Sequence, residues 1–241
     1  MHLATRLHRA CALAGLCALA PQVHAQALEI IPIAQALDAG QRTASFTLTN
    51  HADHDTQVQV RSFQWTQANN TDILDKTQAL LVSPPFARIA PGQSQIIRLL
   101  LRQAPGTTEQ AYRVVFDQLP DADPSKVALA FRLTVPVFAS EAVRAKADVQ
   151  WRTVLDHDQW YLLAHNAGQA HARLANLALA DADGHALKLA RPALPYLLAG
   201  QDGRWLISAP PQTLHAGDRL HLTTTGRGSA MDSWLTLEPG R

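Results

Sequence analysis

The chain has 241 residues, with 21 Lys and Arg against 20 Asp and Glu and a net charge of +1, so its charge balance offers no footprint for nucleic acid and no basic surface for anionic lipid. Its length suits two modest domains as readily as one large one. Both cysteines, Cys11 and Cys17, fall in the first 25 residues, which excludes a disulfide scaffold or a thiol nucleophile beyond them.

The opening stretch, MHLATRLHRACALAGLCALAPQVHAQA, has Arg6 and Arg9 ahead of an apolar run at residues 10–20. That run is well short of the ~20 residues a spanning helix needs. Val23 and Ala25 supply small side chains at the −3 and −1 positions of a cleavage site, so residues 1–25 are expected to be a secretory signal. Without Arg6 and Arg9 the remaining chain carries 19 basic and 20 acidic side chains, a net charge of −1. An exported, soluble product with no membrane insertion is expected.

From residue 28 the chain reads as short strands. ASFTLTN sets Phe46 and Leu48 against Ser45, Thr47 and Thr49, and TQVQVRSFQW sets Val58, Val60 and then Phe63 against polar neighbours. SQIIRLLLR, AYRVVFDQL and VALAFRLTVPVF follow, separated by Asp38-Ala39-Gly40, Asn69-Asn70, Ala90-Pro91-Gly92 and Asp121-Ala122-Asp123-Pro124. Strands at this spacing predict an all-β sandwich. In VALAFRLTVPVFAS one parity is Val127, Leu129, Phe131, Leu133, Val135 and Val137, while the other is mostly small or polar. Pro136 cannot donate to a ladder, which predicts an edge strand. Edges are normally blunted, so a long apolar face on one requires a use.

A boundary is expected near 140, where charge returns after Phe138. Beyond it DVQWRTVLD, QWYLLAHNA, RLANLALADADG, ALKLA, RWLISAP, DRLHLTTTG and SWLTLEPG predict a second, smaller sandwich, with turn pairs at Asp183-Gly184, Asp202-Gly203 and Ala216-Gly217. The expected domains are 26–140 and 141–241.

The chemistry of a catalytic or metal site is weak. His51, His54, His165 and His171 sit in loop-like stretches and read as solvated, and the Asp181 to Gly184 turn lacks the acidic twelfth ligand of a calcium loop. The serine of GRGSA has no G-x-S-x-G pattern. No enzyme, metal or cofactor is expected. A carbohydrate-binding sandwich could recruit Trp160, Trp205 and Trp234, but their alternation with apolar neighbours favours core packing.

The most specific stretch is VSPPFARIAPGQSQIIRLL, with Pro84-Pro85, Arg88-Ile89, Pro91-Gly92 and Arg98-Leu99 in unbroken register. It resembles the PapD-like periplasmic chaperones of pilus assembly. EQAYRVVFDQLP, FTLTN and FRLTVPVFA are similar to further strands of that family, with Gln118 where an acid is usual. SFQWTQ and ILDKTQALLVSPP resemble its archaic, spore-coat-U-type branch.

The resemblance implies two immunoglobulin-like domains at an angle, all-β, with the last strand of the first domain pairing with a pilin subunit that lacks a strand of its own. Val127, Leu129, Phe131 and Leu133 would be the donor side chains. The partners implied are pilus subunits and an outer-membrane usher, with no nucleic acid, and the free chaperone could self-associate to cover its edge. P-pilus-type members hold the subunit's terminal carboxylate with an Arg and a Lys. Here Ala34 or Gln35 stands at the first position and Val135 at or near the second, so the carboxylate is either anchored differently or not at all. Arg98, Arg132 and Arg113 are the candidate anchors, since a guanidinium takes a carboxylate bidentately. Glu109 is a candidate for pairing with a cleft arginine across the domain interface. The rival reading is a secreted Ig-like structural or adhesive surface module.

Overall fold

The computed structural model describes residues 28–120, 130–190, 195–208, 214–226 and 231–238, and these form strands and no helix. The signal expected at 1–25 and the donor candidates Val127 and Leu129 lie outside the described residues.

The first half comprises β1 (Leu28–Ile31), β2 (Gln35–Leu37), β3 (Thr43–Asn50), β4 (Thr56–Ala68), β5 (Thr71–Lys76), β6 (Leu80–Ser83), β7 (Phe86–Ile89), β8 (Ser94–Leu101), β9 (Gln110–Leu119) and β10 (Arg132–Ala139). One sheet runs β1-β3-β8-β6 and the other β2-β10-β9-β4-β5, with β7 also on β4. Period-two patterning decides which side chains meet between them. In β8, Ile97, Leu99 and Leu101 are buried while Ile96, Arg98 and Leu100 face out. Phe46 from β3 meets Phe116 from β9 edge-on, with ring centroids 5.5 Å apart. The turn expected at Pro91-Gly92 forms, with Gly92 at φ 70°.

Asn50 ends β3 inside the core with no exposure. Its amide nitrogen donates to the carbonyls of His54 (2.8 Å) and Ile89 (2.9 Å). Its oxygen accepts from the Ala52 amide (3.0 Å) and the Thr56 hydroxyl (3.1 Å). A buried polar group left unsatisfied costs about 1–3 kcal/mol, so no apolar residue can replace this one cheaply.

The second half comprises β11 (Val149–Asp156), β12 (Gln159–Asn166), β13 (Ala172–Arg173), β14 (Ala178–Ala180), β15 (Ala186–Ala190), β16 (Tyr196–Leu197), β17 (Asp202–Ser208), β18 (Arg219–Thr224) and β19 (Met231–Thr236). Seven of them run β11-β12-β17-β15-β14-β18-β19, and β13 pairs β16. The two outer strands approach each other where the Thr153 hydroxyl donates to the Thr236 carbonyl at 2.8 Å. Asn166 is this half's counterpart of Asn50: it is fully buried, donates to the Ala170 carbonyl at 2.8 Å and accepts from the Asp148 amide at 3.1 Å. Asp202-Gly203, expected as a turn, lies inside β17 instead. A Cβ at Gly203 would collide with the indole of Trp205, which lies across it in the core, so packing rather than a turn calls for this glycine. Trp160 and Trp205 are buried as expected, but Trp234 is exposed and stacks on His221.

The two halves meet in a joint built on Trp65, Ala111, Phe138 and Leu198, with Tyr196 against them. The Gln67 side chain acts there as a surrogate peptide: its nitrogen donates to the Tyr196 carbonyl (2.9 Å) and its oxygen accepts from the Leu198 amide (3.0 Å). His171, expected as a solvated loop residue, instead stacks on Phe138 with centroids 3.6 Å apart. The Glu109 carboxylate accepts from the His171 backbone amide (2.9 Å) and pairs with its Nδ1 (2.8 Å). Glu109 therefore crosses between the halves, but to a histidine where an arginine was expected. Covering its outer face at the joint also explains why β4 does not alternate simply. Val58 and Val60 face the core, whereas Phe63, expected on their side, shares the opposite face with Trp65.

Candidate functional site

β10 pairs antiparallel with β9 along its whole length, from Arg132 opposite Asp117 to Ala139 opposite Gln110. Its other flank is divided. Val137 to Ala139 pair in parallel with Gln35 to Leu37 of β2, while among the described residues Arg132 to Pro136 have no strand beside them. The Gln118 amide donates to the Phe131 carbonyl at 2.9 Å, so odd-numbered residues of β10 bond β9. The backbone N–H and C=O of Arg132 and Thr134 then point to the open flank. Pro136 belongs to the same set, so its missing N–H costs no bond to β9.

The side chains of β10 divide just as sharply. Val135 and Val137 are buried in the core of the first half and Leu133 packs against it. Phe131 has the same parity but lies 49% exposed. The apolar row thus runs off the end of its own core, and of the donor candidates within the described residues Phe131 is the one left free.

The opposite face of this sheet is basic. Cross-strand pairing brings Arg132 beside Asp117 and Gln59, Thr134 beside Val115 and Arg61, and Pro136 beside Arg113, Phe63 and Lys76. Asp117 takes both Arg61 and Arg132, each at 2.5 Å, with its own side chain 13% exposed. Burial alone would raise the Asp117 pKa, but the hydrogen bonds from Arg132 and Arg61 outweigh it and hold the carboxyl below its usual range.

That lowered pKa has a testable sign. A carboxyl whose folded pKa lies below its unfolded one contributes stability that is complete above the unfolded value of 3.8 and disappears as pH falls through the folded value. Wild type is expected to exceed Asp117→Asn by roughly 1 kcal/mol at pH 7, with the gap narrowing as pH falls below 3.8. Urea midpoints measured from pH 7 down through the acid range check this, and a gap that stays constant until the protein acid-unfolds contradicts it.

The three arginines singled out from the sequence do not come together. Arg113 and Arg132 share the basic face, but Arg98 lies on β8 in the other sheet, because β8 pairs with β3 and β6 and never with β9 or β10. Arg113 is already engaged. It is 9% exposed, sits 3.5 Å over the Trp65 ring and meets Asp72 at 3.3 Å. Burial lowers its pKa, which Asp72 offsets in part. Arg132 remains accessible, with 66% of its side chain exposed. Sequence reasoning missed Arg61 and Lys76. The signal for Arg61 lay in the odd parity of Arg61, Phe63 and Trp65, which reads as a second covered face of the same strand, whereas Lys76 reaches this face only through its pairing with Phe63.

The turn at Asp181 to His185 draws Asp181, Asp183 and His185 together. The Asp181 carboxylate is occupied by the backbone amides of Asp183 (3.0 Å) and His185 (2.8 Å), which is how an aspartate closes a hairpin turn.

Comparison with known proteins agrees with this architecture. The family described as pili and flagellar-assembly chaperone, PapD N-terminal domain, matches residues 29–140. No curated protein matches the sequence. Among solved structures, the chain is similar to one from the CsuC–CsuE chaperone–tip adhesion subunit pre-assembly complex of the archaic chaperone–usher Csu pili of Acinetobacter baumannii, with TM-score 0.64 and 23% identity over 90% of this chain and 100% of that one. It is also similar to one from the Salmonella enterica SafA pilin–SafB chaperone complex (TM-score 0.60, 16% identity, covering 87% and 96%). A third is the Pseudomonas aeruginosa CupB2 chaperone (TM-score 0.58, 12% identity, covering 87% and 100%). At these identities the likeness is one of fold. The family's task is chaperoning rather than catalysis. Residues 29–140 therefore match the model of the PapD N-terminal domain, and the chain as a whole shares the two-domain, all-β fold of these chaperone structures.

Proposed function

We propose that this chain is a periplasmic chaperone of an archaic-type chaperone–usher pathway, exported by residues 1–25 and built of domains 26–140 and 141–241. It holds an incomplete pilus subunit by lending it a strand, and it delivers the subunit to an outer-membrane usher. The observation that carries this reading is the open flank of β10 from Arg132 to Pro136, preceded by the exposed Phe131. Main-chain groups on that flank offer affinity, and alternate side chains offer fit. Val127, Leu129 and Phe131 enter the subunit's groove, with Leu133 bridging to the chaperone's own core. Each buried apolar side chain contributes about 1.5–3 kcal/mol before entropic costs.

The subunit's terminal carboxylate is received on the basic face by Arg132 and Arg61, with Lys76 near. Arg98 is not part of this anchor, and Arg113 supports it from beneath. Glu109, tied to His171, holds the joint that keeps the face open. Two of the similar structures are complexes of a chaperone with a subunit, which supports the choice of partner.

The test is co-expression with a pilus subunit encoded beside the chaperone. The subunit is expected to be soluble only in the chaperone's presence and to elute with it as a one-to-one complex. A subunit equally soluble alone would remove the case for the function.

A further inference from the structure

The sheet that carries β10 has a second margin. β5 pairs with β4 on one flank, and among the described residues no strand lies on the other. All six of its residues are exposed, including Ile73 (39%) and Leu74 (40%).

The turn before β5 decides which of its main-chain groups look outward. Asn69 and Asn70 both have positive φ (51° and 60°) and Ala68 stands directly opposite Thr71, the arrangement of a two-residue type I′ hairpin. Ala68 and Thr71 therefore exchange main-chain hydrogen bonds, as do Thr66 with Ile73 and Gln64 with Asp75. The N–H and C=O of Asp72, Leu74 and Lys76 are left facing the open flank. Their side chains stand opposite Gln67, Trp65 and Phe63, on the basic face.

An unpaired edge is a template for another chain, and charges usually guard it. The charges of β5 admit one guest, a second copy of the same strand. In an antiparallel pair centred on Leu74, Leu74 faces Leu74, and Asp72 of each copy faces Lys76 of the other. Unlike charges directly opposite stabilise a sheet, and like charges destabilise it. Centring the pair on Asp72 or on Lys76 sets like charges together, so the charges select the register as well as the guest. Among the described residues Lys76 has no hydrogen bond or ion pair. The Asp72 side chain, met by Gln67 at 2.9 Å and Arg113 at 3.3 Å, is still 33% exposed.

We propose that two copies of this chain join through β5 about a two-fold axis, continuing the six-stranded sheet across both molecules. The margin used is not that of β10, which lies beyond β4 and β9 in the same sheet, roughly 14 Å away. Pairing through β5 leaves the β10 flank open. Given the chaperone reading, the loaded form therefore pairs as the free form does. The contact of one short strand is small, so the dimer is weak and depends on concentration.

Sedimentation velocity on the full chain, free and co-purified with its subunit, tests this. Wild type is expected to pass from monomer to dimer over about a hundredfold range of concentration, and the loaded form to do the same. Leu74→Lys sets two ammonium groups face to face and should weaken pairing by about fivefold or more while melting as wild type does. Lys76→Glu opposes Asp72 twice in the symmetric contact and should weaken pairing by about tenfold or more, whereas Lys76→Arg should retain it. A chain that is monomeric at every concentration overturns the proposal, as does a dimer that Leu74→Lys and Lys76→Glu form as readily as wild type. A dimer that dissolves when subunit binds places the contact at β10 and overturns the β5 assignment. If wild type pairs but holds no subunit, the chaperone reading fails and the β5 contact stands.

Discussion

Replacing Phe131 with aspartate is expected to leave both domains folded and to abolish subunit capture. Phe131 is half exposed and lies outside the cluster that holds Val135 and Val137, so the free protein loses little. In the complex the new carboxylate would enter a dry groove without a partner. Lost burial of an aromatic side chain accounts for about 1.5–3 kcal/mol, and an unpaired buried charge adds several more. Together these lower affinity by about a thousandfold or more, since each 1.4 kcal/mol is tenfold. Val135→Asp is the contrasting variant. Its side chain belongs to the chaperone's own core at 6% exposure, so that change should unfold the first domain. Thermal melting and co-purification of both variants separate the two outcomes. A folded Phe131→Asp protein that still elutes with subunit would dismiss the donor assignment for this residue.

Removing both Arg61 and Arg132 is expected to weaken capture more than removing either one. Asp117 already binds both guanidiniums, so losing one leaves the other ordered over the face. Hydrogen bonds to charged groups are worth about 1.5–3 kcal/mol each, which predicts roughly tenfold weaker capture for either Arg→Ala change and a hundredfold or more for the pair. The double variant should also lose most of the salt dependence of binding, because screening acts on the charges removed. Affinity titrations at low and high salt measure both effects. A double variant with wild-type affinity and wild-type salt dependence would move the carboxylate elsewhere, and Lys76 would be the next group to change.

The faces of individual strands were legible in the sequence because alternation has period two. Ile97, Leu99 and Leu101 point inward as their spacing requires, and the Pro91-Gly92 turn forms where proline and glycine allow it. Which sheet a strand joins is a long-range matter that alternation does not encode. Arg98 and Arg132 have the same local context, an arginine among apolar neighbours, yet β8 and β10 belong to different sheets. Strands covered on both sides defeat a simple parity reading, as with Phe63 and Trp65 in β4. His171 looked like a solvated loop residue because nothing local announces that Phe138 and Glu109, from the other domain, close around it. The basic face was half legible: Arg113 and Arg132 were named from their strands, but Arg61 needed the pairing of β4 with β9.

The short β2 strand covers only the last three residues of β10, Val137 to Ala139. A guest strand sliding along the vacant margin would therefore meet a backstop beyond Pro136. Since a shift of one residue would exchange the two sides of the guest, such a barrier acts as a ruler, limiting how far the guest can advance and disfavouring misaligned pairings before any side chain is tested.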